Sequence, residues 1–221
     1  MAFLLRKEVA NMNYKDYVSD IKHIAGTPYL QVERSPFSVD ELEIFKYILA
    51  EQSQAEFPPF DPTRSNAMSY RLEENTDFGV ALANNFTEIT RTLDDGSDTF
   101  FSYPYDKPLH HSQFYRVAKP GYISESIRCS PPGEDYPIHK DSTSKLLTCL
   151  IYLEPEVSDG TFFHTAMETE GVEHPWVPNT GYIFKGGYSS YHSYRNTTKN
   201  RRTVYMLNLY ETNPFKVSKT H

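Results

Sequence analysis

The stretch "KLLTCLIYL", Lys145–Leu153, constrains the fold of this 221-residue chain more than any other segment. Its apolar and aromatic content reads as a strand. Alternate side chains on a strand face opposite sides. Leu147, Cys149, Ile151 and Leu153 make one apolar face, and Leu146, Thr148, Leu150 and Tyr152 make the other. The first face is suited to packing under helices. The second, with its two hydroxyls, is suited to lining a cavity.

The segments around this strand divide into two textures. In the first half, Ser38-Val39-Asp40-Glu41 is a capping box, in which hydroxyl and carboxylate each satisfy a free backbone N–H. It opens a helix to about Gln54 with Leu42, Phe45, Ile48 and Leu49 on one face. The three prolines of "FPPFDPT" end that helix. Phe78, Leu82, Phe86, Ile89 and Leu93 recur at steps of three and four, which predicts a second helix over 78–93, closed by "DDGSD". From about residue 112 the chain turns to short strands: "SQFYRVA", "PGYISESIRC", "KLLTCLIYL", "GTFFHTA", "TGYIFK" and "RRTVYMLNLY", with "PPGEDYP" as a turn. Helices first and antiparallel strands after predict an α+β chain, a single domain over 1–221. Its residues 1–110 are a mostly helical and loop support region and 111–212 a jelly-roll core, with the N-terminal helices packed on one sheet.

Composition narrows the function. A net charge of -7 disfavours a general nucleic-acid surface, which needs cations to displace counterions. Two separated cysteines, Cys129 and Cys149, make neither a disulfide framework nor a cysteine-based zinc site. No run approaches the roughly 18 apolar residues of a membrane helix, and no leader pattern opens the chain. The expectation is a cytoplasmic protein without a membrane segment.

Within "YPIHKDSTSK", His139 and Asp141 lie one residue apart, on the same side of an extended segment, with Lys140 pointing away. Two imidazoles and a carboxylate on one face of an octahedron leave three positions open for small molecules. A second histidine must then come from a distant segment. His192, in "GGYSSYHSYRN" ahead of a strand with two arginines, is favoured. His164 has no basic strand after it, His174 reads as a loop residue before a proline, and His221 is the chain end. His110 and His111 are adjacent and would face opposite ways.

The ordered pieces "PPG", "HKD", "KLLTCLIYLEP", "DGTFFH", "VPNTGYIF" and "YHSYRNTTKNRRTVYMLNLY" resemble the Fe(II)- and 2-oxoglutarate-dependent oxygenases, most closely the prolyl-hydroxylase-like branch. The resemblance covers 128–211 and implies a double-stranded β-helix, a cupin-like jelly roll. It places the iron ligands on His139, Asp141 and His192 and a basic anchor for the co-substrate's distal carboxylate shortly after the second histidine. Arg201 and Arg202 both have the spacing, but they face opposite ways. Arg202 is favoured through Asn196 six residues earlier, while Arg201 with Thr203 fits the common Arg-x-Ser/Thr pattern. A planar guanidinium suits a carboxylate bidentately. Tyr152 falls where relatives place a tyrosine hydroxyl on the same carboxylate, and Arg128 and Thr148 are further pocket candidates.

The implied cofactors are Fe(II), 2-oxoglutarate as co-substrate, O2, and ascorbate as reductant. The implied reaction hydroxylates an unactivated carbon of a small molecule, such as an amino acid, or of a peptidyl residue such as proline, and releases succinate and CO2. Asp141 retains the carboxylate that halogenases of this superfamily replace with a small residue, which favours hydroxylation. The alternative is a non-catalytic binding module, or another metal-binding cupin, on the same fold.

Overall fold

A computed structural model describes residues 12–54, 56–57, 66–94, 120–142, 144–167, 169–186 and 190–215. The expected strand "SQFYRVA", His110, His111 and His221 lie outside the described residues. No described helix is long and apolar enough to cross a membrane.

Among the described residues, eleven strands and three α-helices run in the order β1 (Val18–Ile24), β2 (Thr27–Val32), α1 (Val39–Gln54), β3 (Met68–Arg71), α2 (Asp77–Asn84), α3 (Phe86–Leu93), β4 (Tyr122–Ser130), β5 (Asp135–His139), β6 (Lys145–Glu154), β7 (Thr161–His164), β8 (Val172–His174), β9 (Gly181–Lys185), β10 (Tyr191–Arg195) and β11 (Arg202–Tyr210). They form a seven-stranded sheet ordered β1-β2-β9-β6-β11-β4-β3 and a four-stranded sheet ordered β5-β10-β7-β8. Every pairing is antiparallel. This is the expected α+β jelly roll. The described part of the first 110 residues also supplies three strands, β1, β2 and β3, to the large sheet. β1 and β2 turn on Ala25 and Gly26, both at positive φ, a turn whose twist matches that of paired strands.

The capping box holds. The Ser38 N–H donates to Glu41 at 2.7 Å and the Glu41 N–H donates to the Ser38 hydroxyl at 3.2 Å. The predicted helix over 78–93 is instead two helices, broken at Asn85, whose φ of -102° and ψ of 14° leave the helical region. The apolar stripe survives the break: Phe78, Leu82, Phe86, Ile89 and Leu93 are all buried.

The large sheet separates two cores. Its outer face contributes Leu147, Cys149 and Ile151 from β6, Tyr205, Leu207 and Leu209 from β11 and Ile127 from β4, packed against the helices. Its inner face, with the small sheet, encloses Tyr152, Phe163, Tyr182, Phe184 and Val204. From Leu147 to Tyr152 the two faces of "KLLTCLIYL" therefore divide as their alternation predicts, whereas Leu146, expected on the inner face, packs against the helix-side core.

One acid breaks the pattern. Glu125 on β4 is buried under α2, where its Oε2 accepts the Thr76 N–H at 2.8 Å. Its Oε1 has no hydrogen-bond partner. Burial pushes its pKa up to about 7. Gly79 allows this contact, since a Cβ there would lie 1.7 Å from Glu125 Oε1.

Candidate metal centre

β5 and β10 are neighbours in the small sheet, and their register sets His139 directly opposite His192. The two rings lie 4.2 Å apart between centroids. Asp141 follows two residues after His139, so it points to the same interior. One ligand atom from each of His139, Asp141 and His192 lies within 4.8 Å of the others. Among the described residues this is the one such group of three.

The hydrogen bonds around the three residues prepare them for a cation. His139 Nδ1 donates to the Pro137 carbonyl at 3.0 Å and His192 Nδ1 to the Ser190 carbonyl at 2.9 Å. A carbonyl can only accept, so each Nδ1 carries the proton and each Nε2 keeps a free lone pair. Burial, and the nearby His192, lower the His139 pKa to about 4. Burial also lowers that of His192. Both imidazoles are neutral ligands at pH 7. Burial alone would raise the Asp141 pKa, but Lys145 and His192 hold it below the usual carboxylate value. Thr148 donates to Asp141 Oδ2 at 2.6 Å and Lys145 to Oδ1 at 2.5 Å. The Thr148 hydroxyl also lies 3.1 Å from Asn208 Oδ1 on β11. Nitrogen and carboxylate donors with open positions fit a ferrous ion.

Farther along the interior lies Arg202, 2% exposed. Its guanidinium is 4.7 Å from the Tyr194 ring centroid, 5.1 Å from Trp176 and 5.7 Å from Tyr152. Two of its N–H edges are used: Nε donates to the Asp159 carbonyl at 3.3 Å, and one Nη to Thr161 Oγ1 at 3.2 Å. Among the described residues no carboxylate forms an ion pair with it. A buried cation without a counter-charge costs several kcal/mol by order of magnitude, so the interior fits an anionic ligand.

The other expected residues are placed as follows. Arg201 faces the opposite way, over the Phe57 ring at 4.6 Å, in a cleft it shares with Leu49, Cys129, Glu154 and Asn200. Tyr152 is buried on the inner face, but its hydroxyl donates to the His174 carbonyl at 3.1 Å and accepts the Thr161 N–H at 3.1 Å. Burial raises its pKa to about 12. Arg128 sits on the inner side of β4, 5.9 Å from the Tyr136 ring centroid. Thr148 is hydrogen-bonded to the candidate ligand Asp141. Lys140 lies over the Tyr191 ring at 4.6 Å.

His164 is on the outer side of the small sheet. Its Nδ1 donates to the Thr169 carbonyl, and its Nε2 accepts from Ser193. His174 is not a loop residue but the end of β8, buried among Tyr29, Tyr152 and Tyr182. Thr161 and Trp176 escape sequence reasoning because a small hydroxyl and an aromatic carry no spacing signal for one shared arginine.

The sequence matches no family model and no curated protein. The fold does match solved structures. A prolyl-4-hydroxylase of Pseudomonas putida superposes with a TM-score of 0.53 at 11% identity, over 84% of this chain and 93% of that one. A prolyl hydroxylase of Trichoplax adhaerens, solved with a hypoxia inducible factor peptide fragment, gives a TM-score of 0.54 at 12% identity, covering 83% of each chain. The chain thus has the fold of the prolyl hydroxylases, with a His-Asp-His group at one end of its interior and a buried arginine farther in.

Proposed function

We propose that this protein is a 2-oxoglutarate- and Fe(II)-dependent oxygenase that hydroxylates an unactivated carbon, of a small molecule such as an amino acid or of a peptidyl residue such as proline. The observation that carries the reading is the pairing, in one enclosed interior, of three convergent metal-ligating side chains with a buried arginine that forms no ion pair among the described residues. In this reading His139, Asp141 and His192 hold the iron through two Nε2 atoms and one carboxylate oxygen. The iron supplies dioxygen activation coupled to the decarboxylation of 2-oxoglutarate to succinate and CO2.

The protein's own residues position and shield. Arg202, rather than Arg201, takes the distal carboxylate of 2-oxoglutarate, because it alone of the two faces the interior. Thr148 and Lys145 fix the Asp141 carboxylate, and the backbone carbonyls of Pro137 and Ser190 fix the imidazole tautomers. Tyr152, Phe163, Tyr182 and Phe184 exclude water from the space beside the anchor. Tyr152 serves here as a wall, since its phenol proton is already donated to the His174 carbonyl.

The test is succinate formation by purified protein with Fe(II), ascorbate and 2-oxoglutarate. Slow turnover is expected even without the primary substrate, and His139→Ala and His192→Ala should abolish it. Succinate release that survives both substitutions would exclude this site.

A further inference from the structure

The turn "PPGEDYP" does more than connect β4 to β5. Gly133, at φ +76°, lets the chain reverse. Its N–H donates to the Asn196 carbonyl at 2.8 Å, the Asn196 N–H donates back to the Glu134 carbonyl at 2.7 Å, and Asn196 Nδ2 donates to the Pro131 carbonyl at 3.0 Å. The turn is thereby clamped to the connection between β10 and β11. The clamp drives the Glu134 side chain inward, where it is 2% exposed. Its Oε1 accepts the Asn66 N–H at 2.6 Å and its Oε2 accepts the Tyr194 hydroxyl at 2.8 Å. Ser130 adds a third contact, donating to the Tyr194 oxygen at 3.3 Å.

Tyr194 is the ring nearest the Arg202 guanidinium. On its other contact it stacks with Tyr136 at 5.4 Å and 28°, and Tyr136 stands edge-on to His139 at 4.6 Å. Tyr194 therefore touches both the anchor and the support of a metal ligand. A phenol that donates to a carboxylate has a more electron-rich ring, which attracts a facing cation more strongly. Its ring plane is also fixed, which matters for a guanidinium whose remaining N–H edge must point at a ligand.

We infer that Glu134 is a positioning residue: through Tyr194 it orients Arg202 for the distal carboxylate of the co-substrate. This rests on the proposed 2-oxoglutarate reading. Glu134 touches neither metal nor co-substrate in this scheme, so its substitution acts on affinity for 2-oxoglutarate rather than on the chemical step.

Trp176 is the chain's single tryptophan and its ring lies 5.1 Å from the Arg202 guanidinium, so its fluorescence reports occupancy beside the anchor. The experiment titrates 2-oxoglutarate into full-length protein loaded with Mn(II), which needs no turnover. It compares wild type, Glu134→Gln, Tyr194→Phe and the double variant. Each single variant is expected to weaken 2-oxoglutarate binding about five- to tenfold, the effect of losing the one hydrogen bond that fixes the ring. The double variant should lose no more than the weaker-binding single, because both act along one path. In turnover, KM for 2-oxoglutarate should rise while kcat at saturation stays within about twofold. Tyr194→Phe keeps the ring and its packing, so it remains informative if Glu134→Gln folds poorly. Wild-type affinity in Tyr194→Phe would overturn the positioning role while leaving the oxygenase reading standing. Failure of the wild type itself to bind 2-oxoglutarate would overturn both.

Discussion

The two faces of the large sheet are built by the same strands and obey different rules. On β11, Tyr205, Leu207 and Leu209 point to the helices, whereas Arg202, Val204 and Asn208 point to the interior. On β6, Leu147, Cys149 and Ile151 oppose Thr148 and Tyr152 in the same way. The outer face is a continuous apolar layer whose job is burial. The inner face carries polar and aromatic groups, nearly all of them committed to a named partner. A one-residue slip of β11 would exchange them, putting Arg202 under the helices and Tyr205 beside the metal site. Stability and chemistry are thus separated by side-chain alternation.

Substitutions at neighbouring positions can break this separation or sharpen it. Leu207→Ala on the outer face should lower unfolding free energy by about 3 kcal/mol, with 2-oxoglutarate affinity unchanged, checked by denaturant melts and ligand titration. Arg202→Met on the inner face should do the reverse. It should weaken 2-oxoglutarate binding roughly a hundredfold, as expected when one member of a buried charge pair is lost, while removing a buried cation leaves stability equal or improved.

The exception on the outer face gives a pH test. Glu125 has a folded pKa of about 7 against 4.5 for the free group, so the folded state favours its neutral form. Its contribution to stability is complete below about pH 4.5 and is lost as the pH rises through about 7. Thr76 and Tyr205 lower it by hydrogen bonding, but burial outweighs them and the Glu41 carboxylate adds to the rise. Stability should fall by about 2 kcal/mol between roughly pH 5 and 8 from this group. Glu125→Gln should remove that slope, as read from melts across the range. The smallest effect belongs to Thr148→Val, which deletes the bond to Asp141 and should weaken metal affinity about tenfold, measured by competition with a chelator.

The convergence of His139, Asp141 and His192 was legible in the sequence because His-x-Asp on an extended segment must present both side chains on one side. The ordered motifs then singled out His192. The faces of β6 were legible for the same periodic reason. Which of Arg201 and Arg202 faces the interior was not, since adjacent strand residues always face apart and only the pairing of β11 with β4 and β6 settles the phase. Tyr152 was correctly placed on the inner face, but what holds its hydroxyl is a backbone carbonyl of His174, which residue identity does not reveal. His174 itself was misread because a single histidine before proline gives no strand period, and β8 is three residues long. β1 escaped because it is an edge strand with a single buried side chain and little apolar alternation. The helix break at Asn85 left the stripe of buried residues in phase, so periodicity alone could not show it.

The most direct measurement is an anomalous difference map from crystals grown without oxygen in Fe(II) and 2-oxoglutarate. One iron peak is expected about 2.0–2.3 Å from His139 Nε2, His192 Nε2 and an Asp141 oxygen, with ligand density reaching from it to the Arg202 guanidinium. Iron bound elsewhere, or ligand density that ends on Arg201 instead, would contradict the division of labour between the two faces of the sheet.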